Sequence, residues 1–405
     1  MSFQQGLSGL NIAARNLAAI GNNVANASTI GYKSARAEFA DVYANALASG
    51  GISIGIGASV TAVKQRFSQG NLLSTGNPLD VAINGSGFFR LSTNGVASYA
   101  RNGQFSLDRD GYVVTNSGAR LTGYQADSGG QIIASTPSDL RITLANIAPQ
   151  TTTDARLALN LDSRATAPTP AFSTSDPTSY NSSTAMTVYD SQGNAQTLTL
   201  YFRKTAANTW AVHGAANGTA LAPAPLGTLT FGNSGRLAAD VSMNVSIPLT
   251  NGAVTPLAFP LTFPTADSSQ YGVDFAVNQI RQDGFTTGRI AGFSVGEDGV
   301  IVGRYTNGQT RAQGQIVLAN FINAQGLVAL GNNQWAETSE SGQPLVGAPG
   351  SGSLGTLQAG SLEEANVDLT QELVDLITAQ RNFQANAKAI ETSSTMTQAI
   401  VNIRA

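Results

Sequence analysis

The chain has 405 residues, a formal net charge of −3 and only 12% charged residues, about half the share usual in globular domains. At about 100 to 200 residues per domain, two to four domains are expected, and a weakly acidic balance without Lys/Arg clusters excludes a field that gathers nucleic acid or an anionic membrane surface. There is no cysteine, which excludes disulfides, thiolate catalysis and zinc–thiolate sites.

The start, MSFQQGLSGLNIAARNLAAIG, lacks the basic opening, continuous apolar core and small-residue cleavage site of a secretory signal, so any export is expected to use another route. Leu7, Leu10, Ala14, Leu17, Gly21 and Val24 alternate spacings of three and four and predict one stripe of a helix. Arg15 is the only charge before Lys33, which disfavours a helix lying on an anionic bilayer. Asn22, Asn23, Asn26, Ser28 and Thr29 can bond nearby backbone and Gly31 permits a left-handed turn, so the helix is expected to stop there. AEFADVYANAL at 37–47 predicts a short helix, and GGISIGIGASV at 50–60 a strand-like connector.

From Gly70 to Leu144, alternating apolar runs are broken by Asn-Gly and Asp-Gly pairs, which predicts hairpins in a compact β domain. Residues 151–170 and 174–183, rich in Thr, Ser, Pro and Ala, predict exposed loops entering a second β domain. The hairpin texture of the first domain returns after Asp283-Gly284, and the Gly/Ser run at 348–362 predicts a connector. Leu369, Leu373, Leu376, Phe383, Ala387, Ile390 and Val401 then form a second helical stripe, interrupted by Gln380, Ser394 and Thr397. Each stripe alone suits an ordinary helix packed on its own domain. A helix at both extremes of a β-rich chain also permits the two ends to pair, as short helices that are disordered alone and fold on association.

Catalytic chemistry finds little support. His213 is the only histidine and lies in a strand-like WAVHG without partners for a triad or metal site. Gly350, Gly352 and Gly355 spell G-x-G-x-x-G without the strand and helix that a dinucleotide site needs. Asp108 and Asp110 suit a hairpin turn rather than a calcium loop, and Glu363, Glu364 and Asp368 suit the first turn of a helix. No cofactor or metal is expected. A carbohydrate-binding or carbohydrate-cleaving β protein is the alternative of a different class, although Tyr180, Tyr189, Tyr201 and Trp210 read as core residues and no paired acids mark a cleft.

NNVANASTIGYKS at 22–34 resembles the N-terminal signature of the bacterial flagellar rod and hook axial family, and SLEEANVDLTQELVDLITAQRNFQANAKAIETS at 361–393 resembles its tail. NGSGFFRL at 84–91 and YARNGQFSLDRDGYVVTNSGARLTGY at 99–124 are similar to the β module these proteins share. VYDSQGNAQTLTLYF at 188–202 and GQIVLANFINAQGLVALGNNQW at 314–335 are similar to hook-type members; a distal rod protein is expected to lack an insertion like 148–284.

The resemblance implies a mainly β chain with helical termini, nested in order. Residues 1–33 and 363–405 would form a coiled-coil-like inner-tube domain, 34–70 and 348–362 a connector, 71–147 and 285–347 an inner β domain, and 148–284 an outer one. It implies no enzyme but a structural subunit polymerising into a helical tube, a flexible universal joint carrying torque between rod and filament. Its implied partners are copies of itself, the rod, the hook cap, the hook–filament junction proteins and the flagellar export apparatus, with no nucleic acid and no membrane insertion. Its implied location is the extracellular hook, reached without a cleaved signal peptide. The subunit interface is expected at Leu7, Leu10, Leu17, Asn22, Asn23, Asn26, Gly31, Tyr32, Leu373, Leu376, Phe383, Ile390 and Val401.

Overall fold

Strands and tight turns occupy the chain between two terminal helices. The computed structural model describes residues 3–42 and 57–403, apart from the side chains at 400, 401 and 403; helix α1 spans Phe3–Ala25 and helix α2 spans Leu369–Ile403. Asn-Gly pairs make two-residue turns as expected. Asn94 and Gly95, at φ 54° and 84°, join strands Phe88–Thr93 and Val96–Ala100; Asn217 and Gly218, at 49° and 85°, join Thr209–Ala216 and Thr219–Ala220. Two successive positive φ values match the twist of the flanking strands, which Asn and Gly tolerate best. No described helix is long and apolar enough to cross a membrane.

One unit contains Met1–Leu144, Gly292–Arg304 and Thr310–Ala405. A large mixed-length sheet runs through it, and its strands close over a cluster of Phe67, Phe88, Tyr99, Phe321 and Trp335 whose ring centroids lie 4.8 to 6.1 Å apart, edge to face. That geometry sets the positive ring edge against the negative face.

Two expectations are corrected in this unit. The helix predicted from residue 37 is, as far as Val42, a strand: β1 (Ala35–Val42) pairs antiparallel with β2 (Gly57–Gln65), Ala35 opposite Gln65 and Val42 opposite Gly57. Backbone pairing and a buried Ala37 outweigh the local helix propensity of Ala and Glu. Residues 43–56 lie outside the described residues. The Gly/Ser run is likewise no free connector. Thr356–Ala359 pairs with Val81–Asn84, and Ser361–Glu363 pairs with Leu72–Ser74. A Cβ at Gly355 would lie 2.4 Å from the Asn84 carbonyl oxygen, so that glycine serves close strand packing rather than flexibility.

The second unit contains Ala145–Ala291 and Tyr305–Gln309. Two five-stranded sheets face each other across Leu159, Leu161, Leu200, Phe202, Trp210, Val245, Leu261 and Phe263, all buried. The 151–170 stretch is not only loop: Ala155–Asp162 is an interior strand, with Leu157, Leu159 and Leu161 buried every second residue. Its Thr-rich flanks hide a period-two pattern of only three leucines.

A buried carboxylate organises one turn of this unit. Asp190 accepts hydrogen bonds from the Gln192 and Asn194 backbone N–H groups and from the Asn251 side chain at 2.6 Å. Burial pushes its pKa up, but these bonds outweigh burial and bring it down to about 2. A carboxylate depressed in the folded state contributes stability that is complete above its ordinary value of 3.8 and is lost as pH falls through about 2. Acid titration followed by Trp210 fluorescence in a Trp335→Phe background is therefore expected to show a loss of stability between about pH 4 and 2 that Asp190→Asn lacks; equal acid profiles would refute it.

Candidate functional site: the paired terminal helices

The helix ends meet through their smallest residues. Along α1, Gly6, Ala13, Ile20 and Asn23 are buried. A Cβ at Gly6 would stand 2.8 Å from Ile390 Cγ1, and one at Gly9 would stand 2.6 Å from Asn386 Oδ1. Asn23 meets Glu372, so α1 and α2 run antiparallel. Glycine costs about 1 kcal/mol in a helix interior, and here it permits the close approach of a second helix.

This is not the stripe that the leucines predict. Leu7 is 43% exposed, Leu10 and Leu17 are half-buried, and the helix faces α2 with the set one position earlier. On α2, Ala379 is buried, while Leu376, Phe383 and Ile390 are half-buried. Leu369, Leu373, Val374 and Ile377 remain between 44% and 53% exposed, and Phe3 at 55% and Met396 at 63% are more open still. The Val401 side chain lies outside the described residues.

The helix stop is a hydrogen-bonded joint. Asn23 Nδ2 donates to the Ala35 carbonyl at 2.9 Å and to Glu372 Oε1 at 3.0 Å, while Asn23 Oδ1 accepts from the Ala35 N–H and from the Tyr32 hydroxyl. Both faces of the amide are used, which fixes where α1 ends, where β1 begins and where α2 lies. Burial raises the Glu372 carboxyl against the bond from Asn23, and burial followed by Glu372 raises the Tyr32 phenol. Asn22 is exposed and Asn26 half-buried; Asn26 Nδ2 donates to Asn22 Oδ1 at 2.7 Å, and Asn26 Oδ1 accepts from the Thr29 hydroxyl at 3.2 Å, so both bond locally within the helix stop. Gly31, at φ 68°, donates its N–H to the Glu363 carbonyl, and a Cβ there would lie 2.6 Å from the Asn102 nitrogen.

Beneath this joint sits an ionic triad that sequence reasoning missed. Lys33 Nζ lies 2.6 Å from Glu363 Oε1 and Arg101 Nη1 lies 3.1 Å from Glu363 Oε2, all three side chains being at least 96% buried. Glu363 also accepts the Gly70 N–H, Lys33 donates to the Ser68 carbonyl, and Arg101 donates to the Gly85 carbonyl. Burial lowers the Lys33 and Arg101 pKa values, and Glu363 opposes it. Glu363 thus does not open the C-terminal helix as expected. Asp368 does, accepting from the Thr370 and Gln371 N–H groups.

Among the described residues no group of three or more His, Cys, Asp or Glu could hold a metal ion. An open groove of about 770 Å³ beside the helix stop is lined by amides and hydroxyls such as Asn26, Asn102, Asn116 and Asn332, without a carboxylate, an imidazole or an aromatic ring.

Residues 3–33 match the flagella basal body rod protein family, 82–156 the flagellar hook protein FlgE/F/G D1 domain, 160–285 the flagellar basal body protein FlaE D2 domain, and 358–403 the flagellar basal body rod FlgEFG protein C-terminal family. The flagellar hook protein FlgE of Salmonella typhimurium (strain LT2) is 43% identical over 413 residues, covering 100% of both chains. The chain belongs to the flagellar hook protein FlgE family. The FlgE of Escherichia coli (strain K12) is 41% identical over 411 residues, again covering both chains fully. The crystal structure of the Helicobacter pylori flagellar hook protein FlgE2, at 15% identity and a TM-score of 0.51, shares the fold over 72% of this chain and 99% of that one. Both helices of the joint thus lie in family-matched segments, and the FlgE family is a structural one.

Proposed function

We propose that the chain is the structural subunit of the bacterial flagellar hook, polymerising into a helical tube that transmits torque between rod and filament as a flexible joint. The observation that carries this reading is the apolar surface left open on the terminal helices, Leu369, Leu373, Val374 and Ile377 on one and Phe3 and Leu7 on the other. An exposed apolar stripe such as Leu369, Leu373 and Ile377, spaced one turn apart on α2, needs a cover. A surface that meets a different surface of the next copy, without closing, generates a helical filament. Residues 1–33 and 363–405 would then line the tube, with 148–284 outermost, and the interface would draw on Leu7, Leu10, Leu17, Leu373, Leu376, Phe383, Ile390 and Val401, with Asn22, Asn23, Asn26, Gly31 and Tyr32 at its end.

The D2-domain match over 160–285 supports the hook against a distal rod protein, which is expected to lack such an insertion. The amide groove, lined without acids or an aromatic platform, gives carbohydrate cleavage no support. Rod, cap and junction proteins are the expected neighbours, and the flagellar export apparatus, acting on the uncleaved chain, the expected route outward. Phe383→Ala is expected to raise the concentration needed for assembly, since losing a packed aromatic costs about 3 to 5 kcal/mol when fully buried and less here at half burial. Sedimentation of wild-type and variant protein over a concentration series checks this; identical assembly curves would refute the role of Phe383.

A further inference from the structure

The single histidine of the chain is placed as a proton-sensitive fastener. His213 lies on the Thr209–Ala216 strand directly opposite Tyr201, on the face turned away from the core residues Trp210 and Val212. That face is crossed by the segment 163–181. Phe172 of this segment stacks on the imidazole with ring centroids 3.9 Å apart and planes 14° apart, and its edge meets Tyr201 at 5.5 Å. Tyr180 packs on Tyr201 at 4.8 Å.

Cations of the sheet hold the rest of the segment. Arg203 Nη2 donates to the Pro168 and Pro170 carbonyls, and Lys204 Nζ donates to the Ser163 and Ala165 carbonyls. His213 is only 7% exposed, and its Nδ1 and the Arg203 Nε are buried without a hydrogen-bond partner among the described residues.

We propose that segment 163–181 is a flap released by protonation of His213, parting Phe172 and Tyr180 of the flap from Tyr201 of the sheet and exposing these aromatic rings to solvent. A neutral imidazole needs one donor and one acceptor, and leaving its acceptor nitrogen dry is tolerable against a ring. An imidazolium carries a second N–H with no acceptor in reach and a positive charge beside Arg203. The Phe172 face attracts a cation, but the surrounding charges do not help it. Arg203 and Lys204 on the neighbouring strand are cations, Asp176 on the flap is engaged by Thr178, and Asp162 is engaged by Arg164. The strands Ser182–Tyr189, Thr219–Ala220 and Gly227–Thr230 bring no charged residue. Opening gives the second N–H to water and moves the ring out of a closed face.

Burial first, and Arg203 second, hold the His213 pKa below its ordinary 6.5. The closed flap is thus fully favoured above that ordinary value and loses ground as pH falls below it.

The test uses the full chain. Hydrogen–deuterium exchange of residues 163–181, corrected for the intrinsic effect of pH, is compared at about pH 7.5 and 5.5, and the lone histidine signal is titrated by NMR. Coupling to one proton of ordinary imidazole affinity predicts flap opening up to about tenfold greater at the lower pH. His213→Phe, which keeps a ring against Phe172, and His213→Gln are both expected to abolish the pH dependence, and Arg203→Gln to move the histidine titration to higher pH. Equal pH dependence in wild type and in both His213 variants would overturn the proposal, as would a histidine that titrates without any change in flap exchange.

Discussion

Glu363→Ala is expected to lower the stability of the helix-bearing unit by about 3 to 5 kcal/mol, the usual cost of removing one partner from a buried ion pair. Among the described residues Glu363 is the only anion against Lys33 at 2.6 Å and Arg101 at 3.1 Å, and it also accepts the Gly70 N–H. Its loss leaves two cations in a site that admits almost no water. Glu363→Gln is expected to fall between, because an amide oxygen still accepts but brings no charge. Lys33→Met should cost less than Glu363→Ala, since Arg101 keeps its carboxylate. Urea denaturation of the full chain, read at Trp335 in a Trp210→Phe background, reports this unit, because those are the two tryptophans of the chain. An unchanged midpoint for Glu363→Ala would show that the triad contributes nothing. Because the triad joins the residues just after α1 to those just before α2, loss of assembly is expected with it.

The second large effect concerns assembly without folding. Leu373 and Ile377 stand one turn apart on α2, 44% and 50% exposed. Replacing both by Glu is expected to leave the isolated chain within about 0.5 kcal/mol per substitution, as for other exposed sites. In a polymer each would place a carboxylate where an apolar side chain contributes about 1.5 to 3 kcal/mol by burial. Every subunit repeats the penalty, so tubes should be lost at concentrations where wild type assembles. Far-UV circular dichroism of the dilute protein separates the two effects. A double variant that polymerises normally would remove this stripe from the interface.

Both helices were legible in the sequence because 3.6-residue periodicity survives any partner, and the hairpins because Asn-Gly pairs have few other uses. The contact face of α1 was not. Leucine spacing draws attention to Leu7, Leu10 and Leu17, whereas two helices approach closely through Gly6, Gly9 and Ala13, which carry little hydrophobic signal. The seven-residue interval of Gly6, Ala13 and Ile20 is the available clue. The place of Glu363 is hidden for a related reason: acids ahead of a helix fit the dipole, and only strand pairing with Leu72–Ser74 shows that the chain is still extended there. Lys33 and Arg101 sit 68 residues apart in sequence and declare no relation until the fold places both on one carboxylate. The Ala35–Val42 strand was hidden because its partner begins 15 residues after it ends. Asn23, in contrast, was singled out with its neighbours as a polar helix stop, and its amide bonds α1, β1 and α2 at once.

Electron microscopy of the concentrated full chain, beside the Leu373→Glu/Ile377→Glu double variant, tests most directly the claim that the open face of the terminal helices drives polymerisation. Tubes from wild type and dispersed particles from a folded variant are the predicted result; tubes from both, or from neither at any concentration, would contradict it.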